Sequence, residues 1–283
     1  MNASIIERAL PTLQIGDFLI QAISDGHLTA SLDLLSHIDP AEAAQLQLKA
    51  GVSDPSSIHI NTYLVRGKGR TILIDAGAGG IKGWGGELRG NLLRAGVEHT
   101  DVDTILLTHA HPDHVGGLLD AQGHPVFPNA ELLIHPRELS FWEDDGNLAR
   151  CNDRARGNFL LARQVFAGYR RNLRLLAQGD VLPGISMVPL PGHTPGHTGY
   201  RVNSEGQTAL IWGDIVHFPN IQIARPDVSI AFDQDPQRAA AARSALLDMV
   251  SADQLMAAGM HLGELGFVRI QRIGRGYSFT YAG

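Results

Sequence analysis

The chain runs to 283 residues with 44% apolar and 18% charged side chains, a formal charge of -6 and one cysteine. That length and apolar content suffice for a large buried core in a single domain over 1–283, and no long Ser/Pro/Gly linker divides it. The lone Cys151 excludes an intramolecular disulfide framework, the acidic balance argues against a nucleic-acid partner, and no segment is apolar for long enough to span a membrane.

From the N-terminus, Met1 to Ile23 has neither a basic leader with a long apolar stretch nor a small-residue cleavage site, so a cytoplasmic location is expected. Strands are predicted at Phe18–Ile23, Thr62–Val65, Thr71–Ile74, Thr104–Leu107 and Ala130–Ile134. Between the first two, Ala30 to Val52 carries Leu32, Leu34, Leu35, Ile38, Ala44, Leu46 and Leu48. These residues either cover the core or, as part of an N-terminal extension over 1–58, cap a pocket or meet a second copy in a homodimer. Gly77 to Gly86 reads as loop.

Directly after the strand predicted at Thr104–Leu107 comes His109-Ala110-His111-Pro112-Asp113-His114, four potential metal ligands within six residues at a strand end. Pro136 to Trp142 reads as a short helix. Its Trp142 either packs in the core or lines a pocket and stacks on an aromatic leaving group. Arg150, Arg154, Arg156, Arg163, Arg170, Arg171 and Arg174 follow on a stretch predicted helical, beside Glu143, Asp144 and Asp145. With no interleaved aromatics, they read as a solvated, salt-bridged face rather than a nucleic-acid channel.

The second half supplies isolated ligands. Pro191-Gly192-His193-Thr194-Pro195-Gly196-His197 follows the apolar stretch Val181 to Leu190, and Gly and Pro there fix a loop around His193. Asp214 closes the strand-like run Leu210-Ile211-Trp212-Gly213, and His261 closes Leu255 to Met260. Asp235-Pro236 opens a helix through Val250, with an Asp cap and Pro at the first helical position. A lone Asp or His after a strand is ordinary. Together, His109, His111, Asp113, His114, His193, Asp214 and His261 are five histidines and two aspartates from four strand ends, enough for two metals with open positions.

On that ordered set the chain resembles the metallo-β-lactamase-fold hydrolases, whose signature is H-x-H-x-D-H followed by separate His, Asp and His ligands. The likeness runs from Asn61 to His261. It implies an α/β fold, the αβ/βα four-layer sandwich, and two divalent ions: His109, His111 and His193 on one, Asp113, His114 and His261 on the other, Asp214 bridging. The true β-lactamases of the family use a Cys ligand, and Cys151 lies in no motif. Gly213-Asp214-Ile215-Val216-His217, Asp75-Ala76-Gly77, Gln222, Pro226 and Phe232-Asp233 resemble the branch containing methyl parathion hydrolase and its lactonase relatives. Two departures stand out: His217 lies where related lactonases carry a substrate-contacting Tyr, and Gly263 to Phe267 replaces a Pro- and Phe-rich loop.

The chemistry this implies follows from charge. Two divalent cations bring about four positive charges and the two aspartates cancel about two, which favours a bridging hydroxide. Coordination lowers the pKa of water from about 15.7 to about 7, so no separate base is required. There is no G-x-S-x-G elbow. The expected activity is hydrolysis of a small-molecule lactone or aryl ester, with promiscuous phosphotriester cleavage. Asp113 and Asp214 act as both ligands and catalytic groups, His217 contacts substrate and protonates the leaving oxygen, and His197 orients a ligand. Zinc is the expected metal, with Mn, Co or Fe acceptable to the same ligands. The alternative is a single-iron oxidoreductase like the persulfide dioxygenases of this superfamily, against which the complete second ligand set counts.

Overall fold

A computed structural model describes residues 9–176, 179–274 and 276–282, and its strands form two seven-stranded sheets. The first runs in chain order through β1 (Thr12–Ile15), β2 (Phe18–Thr29), β3 (Ser57–Gly67), β4 (Arg70–Ile74), β5 (Thr104–Leu106), β6 (Glu131–Ile134) and β7 (Leu173–Leu175). The second holds β8 (Asp180–Leu182), β9 (Ile185–Pro189), β10 (Thr198–Ser204), β11 (Gln207–Ile211), β12 (Met256–Ala258), β13 (Phe267–Ile273) and β14 (Gly276–Tyr281), again neighbours in chain order. β4 to β7 are mutually parallel, as are β11 and β12; the remaining pairs are antiparallel. Parallel strands need crossovers, and two of these, β5 to β6 and β11 to β12, carry His109 to His114 and Asp214, while His193 and His261 lie in connections between antiparallel strands.

The layers follow from which strand faces are apolar. Ile20, Tyr63, Val65, Ile72 and Ile74 of the first sheet meet Tyr200, Val202, Ile211 and Phe267 of the second in a core between the sheets. The outer face of the first sheet, with Leu64, Leu73, Ile105 and Leu132, packs on the helices Leu88–Arg94, Pro136–Glu143 and Asp153–Gly168. That of the second, with Leu210, Ala257, Val268 and Ile270, packs on the helix Pro236–Ala252 through Leu246, Leu247 and Val250. The result is one domain of four layers, helix, sheet, sheet, helix. Asp235 accepts from the Arg238 amide at the start of the last helix, as the Asp-Pro start requires.

Two expectations take definite form. Of the N-terminal extension expected over 1–58, the first eight residues lie outside the described residues, and β1, β2 and the start of β3 are strands of the first sheet. Leu28, Leu32, Leu35 and Ala43 then join Phe218, Ile221 and Ile230 in a core at the strand ends. β2 is long enough to pair with β3 over almost its whole length, so it cannot hang outside the fold. The arginine run also divides. The helix ends at Gly168, before Arg170, Arg171 and Arg174, and the chain turns there into β7. Arg163 pairs with Asp145 at 2.8 Å and Arg170 with Glu143 at 2.9 Å, the salt-bridged face expected. No helix among the described residues is long and apolar enough to cross a membrane.

Candidate metal centre

The ligating residues leave the sheets at neighbouring strand ends. β5 stops at Leu106 and the chain turns through His109 and His111 into the short helix Pro112–Val115, which carries Asp113 and His114. The loop before β10 brings His193, the segment after β11 brings Asp214 and the segment after β12 brings His261. All seven expected ligands meet, in two groups: His109, His111 and His193, then Asp113, His114, Asp214 and His261.

In the first group, His109 Nε2 lies 3.0 Å from His111 Nδ1, His111 Nδ1 lies 2.9 Å from His193 Nε2, and His193 Nε2 lies 3.1 Å from His109 Nε2. In the second, Asp214 Oδ2 is 3.2 Å from His114 Nε2 and Asp214 Oδ1 is 3.2 Å from His261 Nε2, while Asp113 Oδ2 is 3.5 Å from both imidazoles. Asp214 Oδ2 also lies 3.3 Å from His193 Nε2 and 3.6 Å from His109 Nε2, so this carboxylate faces both groups.

The outer hydrogen bonds decide which nitrogens are bare. His114 Nδ1 is 2.7 Å from Asp75 Oδ2, His193 Nδ1 is 2.8 Å from Asp233 Oδ1 and His261 Nδ1 is 2.7 Å from the His59 carbonyl. Each acceptor requires the Nδ1 proton, leaving Nε2 a lone pair turned inward. His109 Nδ1 lies 3.0 Å from Thr108 Oγ1, whose own proton goes to Asp75 Oδ2 at 2.6 Å, so its Nε2 is bare as well. Four lone pairs, the buried Asp214 carboxylate and the half-buried Asp113 carboxylate thus point at one another. Among the described residues, His114 Nε2, His261 Nε2 and Asp214 Oδ1 are buried with no hydrogen-bond partner. Such an arrangement is repulsive unless cations occupy it, and the His and carboxylate donors suit zinc-like ions.

Without cations, protons must serve. Burial alone would lower His114, but Asp214, Asp113 and Asp75 outweigh it and hold the imidazole well above its ordinary value. Burial likewise opposes His193, which its hydrogen bonds to Asp214 and Asp233 push up to about 9. Burial would raise Asp214, yet His114, His261 and His217 pull it well below the usual carboxylate range. His109 and His111 stay well below theirs because burial is reinforced by their cationic neighbours, chiefly His114 and His193 respectively.

His197 does not ligate. It accepts the Asp214 amide on Nε2 at 2.9 Å and donates from Nδ1 to the Leu190 carbonyl at 2.9 Å, so it sets the backbone that carries Asp214. Gly213 permits that approach: its φ is +62°, and a Cβ there would lie 2.4 Å from His197 Nε2. His217 stands at the site, with Nε2 3.2 Å from Asp214 Oδ2 and Nδ1 unpartnered among the described residues. Gln222 shapes its turn by accepting the His217 and Phe218 amides at 2.7 and 3.0 Å.

Trp142 is corrected to the core. It is 1% exposed, its Nε1 donates to Glu138 Oε1 at 2.6 Å, and its ring packs on Phe159 with only an edge contact to His111. Glu138 itself escaped sequence reasoning. Its Oε1 also accepts the Ala110 amide at 3.0 Å, and its Oε2 accepts Thr194 Oγ1 at 2.6 Å and the Gly196 amide at 3.1 Å, which clamps the His109 loop to the His193 loop. Asp75 and Asp233 were noticed only as part of the likeness, not for the imidazoles they orient. A charged residue inside an otherwise amphipathic helix was the only local signal for Glu138.

The cluster forms the floor of a cavity of about 290 Å³ walled by Leu28, Leu34, Ile58, Trp84 and Phe232. A second cavity of about 390 Å³, lined by His27, His59 and Asn220, backs onto the same His217 and His261.

Comparison with known proteins agrees with this geometry. The sequence profile of the Metallo-beta-lactamase superfamily matches residues 58–261. The uncharacterized protein YobT of Bacillus subtilis is 30% identical over 166 residues, 56% of this chain and 63% of that protein, so the match spans less than two thirds of the relative. The crystal structure of hydrolase AbOPH, described as in the beta lactamase superfamily, superposes with a TM-score of 0.90 at 30% identity, over 98% of this chain and 99% of that one. AidC, described as a dizinc quorum-quenching lactonase in complex with an N-hexanoyl-homoserine product, has a TM-score of 0.90 at 24% identity, over 97% and 98% of the two chains. That second likeness is one of fold.

Proposed function

We propose that this chain, which belongs to the metallo-beta-lactamase superfamily, is a binuclear metal-dependent hydrolase that opens lactones or cleaves aryl esters and takes phosphotriesters as poorer substrates. One observation carries this reading: bare imidazole nitrogens and two carboxylates, Asp113 and the buried Asp214, converge on the floor of an apolar cavity. A neutral ester can lay its apolar part on the wall and bring its reacting centre to the floor.

Two divalent cations, if bound there, would supply a nucleophile from water near neutral pH and a Lewis acid for the carbonyl or phosphoryl oxygen. His109, His111 and His193 would hold one ion and Asp113, His114 and His261 the other, with Asp214 reaching both. Zinc suits these ligands, and Mn, Co or Fe can replace it. The chain's own groups then orient and exclude. Asp75, Thr108 and Asp233 hold the imidazoles with their lone pairs inward. His217, which burial keeps below its ordinary pKa against the pull of Asp214, serves as a hydrogen-bond donor to the carbonyl or leaving oxygen.

The test is a hydrolysis panel on protein stripped by chelator and reloaded with Zn, Mn, Co or Fe, with metal content measured in parallel. The panel spans dihydrocoumarin, acyl-homoserine lactones of several chain lengths, phenyl acetate and methyl parathion. Two ions per chain and the highest kcat/KM on a lactone or aryl ester are expected. A single iron per chain, with oxygen uptake on a persulfide and no ester cleavage, would replace this reading with the oxidoreductase one.

A further inference from the structure

The acidic chain has a cationic pocket mouth. Lys82 and Arg154 both line the cavity above the His/Asp cluster, and among the described residues the only carboxylates lining it are Asp113 and Asp214, which the metal ions would take as ligands on its floor. Each cation rests on an aromatic ring of the wall: Lys82 Nζ lies 5.0 Å from the Trp84 ring centroid and Arg154 Cζ lies 5.3 Å from that of Phe232. Such stacking holds a long side chain in place without neutralising its charge. Arg154 spends one donor on the neutral Ala231 carbonyl at 2.8 Å. No carboxylate pairs with either cation among the described residues, whereas Arg163, Arg170 and Arg174 have acidic partners.

The two cations come from distant parts of the chain. Lys82 sits in the loop between β4 and the helix Leu88–Arg94, at a left-handed φ of 56°. Asp25 braces that loop by accepting the Ala78, Gly79, Gly86 and Leu88 amides at 2.8 to 3.3 Å. Arg154 opens the helix Asp153–Gly168. An ester that were neutral throughout would gain nothing from this pair. An apolar wall between a reacting floor and a positive rim fits a substrate with three corresponding parts.

We propose that the cavity selects esters or lactones carrying a carboxylate at the end remote from the scissile bond, with Lys82 and Arg154 as the specificity-determining residues. This rests on the hydrolase reading above for its chemistry, but not for its electrostatics. The reaction is ordinary ester hydrolysis: water adds, the acyl–oxygen bond breaks, and the remote carboxylate is unchanged. Positive walls of low dielectric raise the local concentration of an anionic ligand, an effect that weakens as salt is added.

Two measurements test it. In the first, kcat/KM is compared for half-esters of 4-nitrophenol with glutaric, adipic and suberic acid and for the neutral 4-nitrophenyl alkanoates of matching length. The metal-loaded enzyme should prefer the best half-ester over its neutral counterpart by about tenfold at low salt, the range open to two partly exposed ion pairs. That ratio should shrink at high salt and collapse in Lys82→Met/Arg154→Met. The charge reversal Lys82→Glu/Arg154→Glu should favour the neutral ester. Equal loss on both substrates, or no preference in the wild-type enzyme, overturns the proposal.

The second measurement needs no turnover. Fluorescence titration compares 8-anilino-1-naphthalenesulfonate with the uncharged N-phenyl-1-naphthylamine, which shares its apolar body. Wild-type protein should bind the sulfonate more tightly, and both double variants should lose that difference. If the dyes discriminate as expected but no ester is cleaved, the anion-selective mouth stands and the hydrolase reading falls. If esters are cleaved without regard to charge and the dye ratio is the same in the variants, the mouth plays no part in selection.

Discussion

Asp214 is the residue on which both halves of the site depend, because its two oxygens face His261 on one side and His193 on the other at 3.2 and 3.3 Å. Replacing it by Ala should strip or loosen both ions, since it removes a shared negative charge and leaves two dications unbridged. Asp113→Ala should mainly affect one. Metal content by mass spectrometry separates the two outcomes, and a fully loaded, active Asp214→Ala protein would contradict the binuclear reading. His217 invites a different experiment. An imidazole that donates a hydrogen bond to a departing oxygen matters most when that oxygen leaves poorly. His217→Ala should therefore lower kcat/KM on an alkyl lactone more than on dihydrocoumarin or a phenyl ester, with metal content unchanged. An equal loss on both substrates would reduce His217 to a wall residue.

At the scale of elements, the short helix Pro136–Glu143 matters for what it ties together rather than for what it exposes. The four donors on Glu138 come from the His109 loop, from its own helix and from the His193 loop. Burial pushes its carboxyl above the ordinary value, and those donors oppose the shift. In Glu138→Gln an amide NH₂ must face the Ala110 amide and Trp142 indole or the Gly196 amide, which can only donate, so at least one buried donor loses its acceptor. The expected cost is about 2 to 4 kcal/mol in urea unfolding, with weaker metal retention, because each unsatisfied buried donor costs about 1 to 3 kcal/mol. A Glu138→Gln protein as stable as wild type and equally slow to lose metal to a chelator would show that the clamp is not needed.

For the molecule as a whole, metal removal should change how stability depends on pH. In the metal-free protein the His193 pKa is about 9 against an ordinary 6.5, which it keeps when unfolded. A group raised on folding stabilises fully below its unfolded value and loses that contribution as pH rises through the folded one. Metal-free protein should thus melt at a lower temperature at pH 9 than at pH 6.5. Metal-loaded protein should not show this loss, because cations replace the protons, and metal affinity should rise over the same interval. Calorimetry at several pH values, with and without chelator, checks both. Metal-free melting that is flat between pH 6.5 and 9 would count against protons standing in for the ions.

How much of this was legible in the chain depends on sequence distance. The six-residue run from His109 to His114, the Asp-Pro helix start at Asp235 and the buried strands are local patterns, and the structure places them as read. The ligands His193, Asp214 and His261 were recognisable because each ends an apolar run and because their order resembles a known signature. Trp142 could not be assigned between core and pocket, since helical spacing does not say which neighbour covers a face; packing on Phe159 and Glu138 decided it. The contacts of Asp75 with His114, Glu138 with Thr194 and Asp233 with His193 join residues 39, 56 and 40 positions apart. Lys82 and Arg154 share a rim only because two loops meet over the same strand ends. The sequence by itself determined which side chains can bind metal and which strand ends carry them, because those depend on neighbours in the chain. Tertiary structure alone decided which buried carboxylate orients which imidazole and which charges face the substrate, because those contacts form only once the crossovers bring distant loops to one end of the sheets.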